Sequence, residues 1–137
     1  MKLNTYLHFN GQCEAAFKFY ADALGGKIQG MMRFGDSPMA KNVSPDWHNK
    51  IIHTTMTVGG IDLMGSDAPP DHFAKPQGFS VTINISDPAE AERIYKTLSP
   101  GGNIQMPLQE TFWAVRFGQF TDKFGIPWMI NCGKQQN

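Results

Sequence analysis

Polar and apolar residues alternate from Phe79 to Ser86. Phe79, Val81, Ile83 and Ile85 take one side, and Ser80, Thr82, Asn84 and Ser86 the other. A period of two marks a strand with one buried face. The period then changes. From Asp87 to Leu98 the apolar residues Ala91, Ile94, Tyr95 and Leu98 fall at i, i+3, i+4 and i+7, one face of a helix. Asp87 suits the N-cap and Pro88 the first helical position. Residues Cys13–Leu24 carry the same stripe in Phe17, Tyr20, Ala21 and Leu24, with Glu14, Lys18 and Asp22 spaced four apart on the opposite face. The first helix runs into Gly25-Gly26 and the second ends near Gly101-Gly102, the residues a left-handed cap requires.

The remaining periodic segments read as strands. Leu3–Asn10 and Phe79–Ser86 precede the helices, and Ile28–Phe34 and Ile104–Glu110 follow them. Lys50–Val58 and Trp113–Phe120 come next, then Ile61–Gly65 and Pro127–Cys132. Each half is therefore β-α-β-β-β.

The wording repeats as well as the pattern. Gly25-Gly26-Lys27-Ile28-Gln29 matches Gly101-Gly102-Asn103-Ile104-Gln105, and Gly60-Ile61-Asp62-Leu63-Met64 matches Gly125-Ile126-Pro127-Trp128-Met129. The offset falls from 76 to 65 between these matches, so the first half carries about eleven extra residues. The aperiodic stretch from Gly35 to Asn49 is the place for them. We expect one domain over 1–137: module one about 1–67, a proline-bearing linker about 68–77, and module two about 78–133. A helix on one face of each mostly antiparallel sheet leaves the other face open. Two such sheets, curled around a cavity, give an α+β class fold.

Composition adds exclusions. Hydrophobic residues at 41% and charged residues at 18% are those of a packed globular chain, not a disordered one. Twelve basic and twelve acidic side chains cancel, which steers the chain toward neither nucleic acid nor an anionic membrane. The start of the chain has no apolar signal region, and no window approaches a membrane span. Cys13 and Cys132 lack CxxC spacing and read as two buried thiols, so the expected compartment is cytoplasmic.

In the second module Val81 and its partners, Phe79 included, should meet the helix. Ser80 and Thr82 should then face the cavity. In the first module Leu7 and Phe9 should meet the helix, leaving Asn4, Tyr6 and His8 toward the cavity. A polar, half-enclosed sheet face is what a small-molecule site needs; the plainer alternative is a solvated surface.

The paired module resembles the vicinal-oxygen-chelate superfamily of glyoxalases, bleomycin-resistance proteins and dioxygenases. Within it the chain is similar to the PhnB-like branch. The likeness is carried by Tyr6-Leu7-His8-Phe9, by Glu14-Ala15-Ala16-Phe17-Lys18-Phe19-Tyr20, by Ile52-His53 and by Leu63-Met64-Gly65-Ser66-Asp67. The most specific stretch is Asp122-Lys123-Phe124-Gly125-Ile126-Pro127-Trp128-Met129-Ile130-Asn131. The resemblance implies a glyoxalase-like fold and a homodimer. It also implies a divalent metal held by His or Glu on the first and last strand of each module. Here those positions fall on Asn4, Met64, Ser80 and Met129, none a usual ligand for such an ion. Members of the branch also carry the label demethylubiquinone methyltransferase. The chain shows no Gly-rich loop between a strand and a helix for S-adenosylmethionine, so that activity is not extended to it.

Candidate chemistry is sparse. His8 and His53 lie on strands and can act as an acid/base pair or a non-standard metal site if they share a face. Glu110 is a third catalytic candidate, as a pocket carboxylate. Tyr6, His8, His53, Ser80, Thr82 and Trp113 are the candidate ligand contacts. His48 and His72 sit in loops and read as exposed. Asp67 and Asp122 read as turn or capping residues before they read as pocket groups. Trp128, Phe112 and Phe124 read as core or pocket wall, and the methionines Met31, Met32, Met39, Met56, Met64 and Met129 as core filling or an adaptable cavity lining.

These readings predict a protein that binds an unidentified small molecule, with no cofactor and no metal at the usual positions. The alternative is a lyase, isomerase or oxygenase-type enzyme using a site around His8 and His53. A third possibility is a divergent relic whose pocket is filled.

Overall fold

The computed structural model describes residues 1–134, which form eight strands, two α-helices and three short 3-10 turns. The chain divides into two compact units, Met1–Ala74 and Lys75–Asn137. The division falls inside the proline-bearing stretch 68–77.

The first unit runs β1 (Thr5–Phe9), α1 (Cys13–Leu24), β2 (Lys27–Arg33), β3 (Ile51–Val58) and β4 (Ile61–Asp67). Its sheet order is β1-β4-β3-β2, with β1 parallel to β4 and the other pairs antiparallel. The second unit runs β5 (Val81–Asn84), α2 (Pro88–Leu98), β6 (Asn103–Gln109), β7 (Ala114–Thr121) and β8 (Pro127–Gly133). Its order is β5-β8-β7-β6, with the same single parallel pair. The internal repeat in the sequence is thus a repeat of topology, and the class is α+β.

Helix α1 packs on β2, β3 and β4. Its buried line is Cys13, Ala16, Phe17, Tyr20 and Ala23. Ala21 and Leu24, expected at the centre of the stripe, are half-buried. The reason is the aromatic anchor. Phe17 meets Phe9 edge-on at 6.0 Å and Tyr20 at 6.0 Å, which turns the Ala16 and Ala23 side toward the sheet. Burying one such phenylalanine stabilises by about 1.5–3 kcal/mol. The approach is close because β4 carries Gly65, where an added Cβ would lie 2.6 Å from the Phe17 ring.

Gly25 closes α1 in the left-handed conformation, at φ 68°. Helix α2 starts as expected: Asp87 accepts the Ala89 N–H at 3.0 Å and Pro88 opens the helix. Its end differs from expectation. Ser99 is the C-cap in right-handed conformation, and Gly101 lies beyond it in a turn with φ 80°. Gly102 is needed for space, since its Cβ would fall 2.0 Å from the Thr121 carbonyl on β7. The second double glycine therefore packs a turn rather than capping a helix.

The strand bounds match the alternation to within a few residues, with two consequences. Leu3 precedes β1 and is exposed. Phe79 precedes β5, so the alternation does not govern it. It is 46% exposed instead of meeting the helix. Val81, Ile83 and Ile85 are half-buried. The extra residues of the first half form 3-10 turns at Phe34–Asp36, Pro38–Asn42 and Pro45–Trp47. The second half has only the short link between β6 and β7 there. Cys13 and Cys132 are both free and buried. Among the described residues no helix is long and apolar enough to cross a membrane.

Candidate functional site

In the first unit, Leu7 and Phe9 face the core, so Tyr6 and His8 face outward from the same strand. Register completes the open face. Tyr6 lies opposite Met64, Met64 opposite Thr55, and His53 two residues along β3 from Thr55. The Tyr6 Oη lies 3.4 Å from His53 Nδ1, and Thr55 Oγ1 lies 3.2 Å from His53 Nε2. The His8 and His53 rings both adjoin Tyr6, with centroids 5.1 Å and 5.8 Å away. An imidazole held between two hydroxyls can take a proton on one nitrogen and release one from the other. Tyr6, His8 and His53, singled out in the sequence, are thus brought together, and Thr55 joins them.

Beside this cluster the open face is tied by its own hydrogen bonds. Thr57 donates to the Asp62 carboxylate at 2.8 Å, and the Asn4 amide donates to the Asp62 carbonyl at 3.1 Å.

The second unit has a groove of about 590 Å³ on the open face of its sheet. The segment 75–80 forms one wall, with Gln77, Phe79 and Ser80 lining it. Gln105 from β6, Gln119 and Thr121 from β7, and Met129 from β8 supply the floor. Gln119 and Met129 are cross-strand partners, and Gln105 donates to the Thr121 hydroxyl at 3.1 Å. The lining mixes amides and hydroxyls with Phe79, Met129, Pro76 and Pro127. Such a surface can hold a ligand by a few directional bonds over apolar contact.

Ser80 lines this groove. Thr82 faces Met129 across the parallel pair but is exposed and outside the lining. Trp113 lies just before β7, 44% exposed, edge-on to Phe112 at 4.6 Å and to Phe117 at 5.3 Å. Phe112, expected as core or wall, is exposed, because it sits in the link between strands. Glu110 is exposed in the same link and does not line the groove. The sequence reading missed the floor residues Gln105, Gln119 and Thr121; the alternation of Gln119 and Thr121 with the buried Phe120 is the signal that could have found two of them. Gln77 and Lys75 carried no such signal.

A sequence model of the family described as 3-demethylubiquinone-9 3-methyltransferase matches residues 1–131. The chain belongs to this PhnB-like family. It is 38% identical to protein YjdN of Escherichia coli (strain K12), over 99% of this chain and 98% of that one. It is 44% identical to protein PA1353 from Pseudomonas aeruginosa, with TM-score 0.89 over 98% and 99% of the two chains. A PhnB protein from Bacillus cereus is 26% identical, with TM-score 0.81 over 96% and 98%. The fold alone is shared with the fosfomycin resistance protein FosX from Listeria monocytogenes, TM-score 0.65 at 10% identity. The fold is shared as well with a glyoxylase/bleomycin resistance protein/dioxygenase domain from Frankia sp. EAN1pec, TM-score 0.64 at 14% identity, so the PhnB-like chain has a glyoxalase-like fold.

Neither group that the family name or fold implies fits these residues. In the first unit the metal positions hold the Asn4 amide, already bound to Asp62, and the Met64 thioether. In the second they hold a hydroxyl, Ser80, and the Met129 thioether. Neither pair suits a hard or borderline divalent ion. Among the described residues no three His, Cys, Asp or Glu side chains converge as a metal site. For S-adenosylmethionine, the β1–α1 turn of the PhnB-like chain has one glycine, Gly11. The Lys50 side chain lies 3.4 Å from where its Cβ would be. The β5–α2 link has no glycine. Neither turn is an open glycine cradle.

The remaining candidates are structural. Asp67 is buried, accepting the Cys13 N–H and the Ile51 N–H, each at 2.9 Å. Burial, followed by the nearby Asp67 and Glu14, pushes the Cys13 thiol far up, so it is no nucleophile. Asp122 is buried and accepts the Phe124 and Ile126 N–H groups and the Trp128 indole N–H. His72 is exposed as expected. His48 is half-buried instead, its Nε2 2.9 Å from the Ala40 carbonyl, because the 3-10 turns fold back over it.

Proposed function

We propose that this PhnB-like protein binds a small molecule in the groove of its second unit, without the divalent metal of its superfamily. The supporting observation is the groove itself: about 590 Å³, floored by Gln105, Gln119, Thr121 and Met129. That volume lies within the range of small-molecule sites. Ser80 is the expected ligand contact that it contains. The proposal includes a cytoplasmic homodimer; light scattering of the purified protein checks the dimer, and cell fractionation the compartment.

Thermal shift against a library of small metabolites tests the binding reading. A saturable rise in melting temperature is expected for some compounds, growing with ligand concentration. Ser80→Phe, which fills the groove from an edge position, should remove that rise while leaving the unliganded melting temperature nearly unchanged. Hits that survive Ser80→Phe would place binding elsewhere.

The Tyr6–His53–Thr55 arrangement favours a second reading, an enzyme of lyase, isomerase or oxygenase type using an acid/base or non-standard metal site there. Elemental analysis after incubation with Ni, Zn, Mn or Fe separates its forms. One equivalent per chain, lost in His8→Ala or His53→Ala, supports the metal form. In the acid/base form, turnover falls with both His53→Gln and Tyr6→Phe, and no metal is needed.

A further inference from the structure

The groove of the second unit is one-sided in charge. Lys75 is the charged residue of its lining, and no carboxylate lines it. Arg33 and Lys18 lie on Glu14, Arg116 on Glu92, and Lys50 on the Gly11 carbonyl, whereas Lys2, Lys27, Lys41 and Lys96 are exposed like Lys75; what sets Lys75 apart is its place in the groove lining. Among the described residues Lys75 has no hydrogen-bond or ion-pair partner.

The other polar groups in the lining are neutral. Gln77, Ser80 and Gln119 each offer donors, and Gln105 is already oriented by Thr121. A carboxylate only accepts, so an ammonium with amide and hydroxyl donors nearby complements it. A cation would meet Lys75 with no acid to offset it. A dianion would keep one charge without a counter-ion in a partly desolvated groove. Phe79, Met129, Pro76 and Pro127 ask for an apolar body. We infer that the groove selects a small organic monoanion, one carboxylate on an apolar or aromatic body, with Lys75 as its counter-ion. This inference rests on the reading of the groove as a binding site.

Matched acid and amide probes test both levels. Benzoate with benzamide and indole-3-acetate with indole-3-acetamide differ in charge but hardly in shape. Titration calorimetry on the full chain should show the acid of at least one pair binding about fivefold more tightly than its amide, the scale of one partly exposed ion pair. Lys75→Gln should bring that acid down to the level of its amide and leave the amide unchanged. Lys75→Arg should keep the preference. Added salt should weaken the acid and not the amide.

Acid and amide binding equally, both lost in Ser80→Phe, would overturn the charge inference and leave the groove reading standing. The same holds if Lys75→Gln leaves acid binding intact. If no probe binds, or binding survives Ser80→Phe, the groove reading fails and the inference with it.

Discussion

Asp67, the last residue of β4, accepts the backbone N–H of Cys13, the first residue of α1, at 2.9 Å. Gln12, the residue in the N-cap position, makes no side-chain cap. The cap of α1 therefore comes from another strand, and the second carboxylate oxygen ties down Ile51 at the start of β3. One buried side chain thus fixes where a helix and a strand begin. Asp67→Ala leaves two buried N–H groups without an acceptor, at about 1–3 kcal/mol each. We expect Asp67→Ala to lose about 2–4 kcal/mol in urea unfolding, and Asp67→Asn less, because the amide retains one acceptor. A loss within error for Asp67→Ala would refute the capping role.

Glu14 leads to a pH prediction. Arg33 places both of its terminal nitrogens on the Glu14 carboxylate, at 2.8 and 3.1 Å, and Lys18 adds a third contact at 3.0 Å. The Arg33 hydrogen bonds first, then Lys18, hold Glu14 down to about 2 against an ordinary 4.5. A carboxylate with its folded value depressed stabilises the fold above the unfolded value. That stabilisation is lost as pH falls from 4.5 toward 2. The side chain is about a third exposed, so solvent screening limits the effect to about 1 kcal/mol. Glu14→Gln should be about that much less stable at about pH 6, with the difference closing below pH 4.5. A difference that stays constant down to pH 2 would assign the loss to packing instead of charge.

Two glycines with ordinary φ values separate packing from backbone freedom. At Gly65 an added methyl would lie 2.6 Å from the Phe17 ring and 3.0 Å from the Leu7 carbonyl, and the carbonyl cannot move away cheaply. At Gly30 nothing lies within 4 Å. Gly65→Ala should cost about 1–3 kcal/mol through overpacking. Gly30→Ala should change stability by less than about 0.5 kcal/mol, or raise it slightly by restricting the unfolded chain. Equal effects at the two sites would mean that α1 does not sit against β4 as described.

Much of this fold was legible in the sequence, because the apolar period switches cleanly between two and 3.6. Both helices, all eight strands and the repeat follow from it. What it could not supply was register. Nothing in the chain says that Tyr6 falls beside His53, 47 residues away, until β1, β4 and β3 are aligned. The Asp67 carboxylate looked like a turn residue, and its capping partner lies 54 residues back. Of the groove only Ser80 was picked out: Gln119 and Thr121 were missed although they alternate with the buried Phe120, and Lys75, Gln77 and Phe79 lie outside any strand and reach the groove by chain direction alone. His48 failed for the same reason, its environment being built by turns with no period.

Asp122 and Trp128 carry the last prediction. The carboxylate of Asp122 serves at least three donors: the Phe124 N–H at 2.8 Å and Ile126 N–H at 3.0 Å on one oxygen, and the Trp128 indole N–H at 2.8 Å on the other. An asparagine of the same shape has one acceptor oxygen and one donor NH₂. Whichever way the amide turns, its NH₂ meets an N–H donor. Asp122→Asn should therefore destabilise by about 1–3 kcal/mol despite its near-identical volume. Trp128→Phe should cost more in the wild type than in Asp122→Asn, because part of what the indole contributes is that shared bond. The two costs being equal would show that Trp128, buried to 1% exposure, acts through packing alone. In that case Asp122 would serve the turn and nothing else in the β8 core.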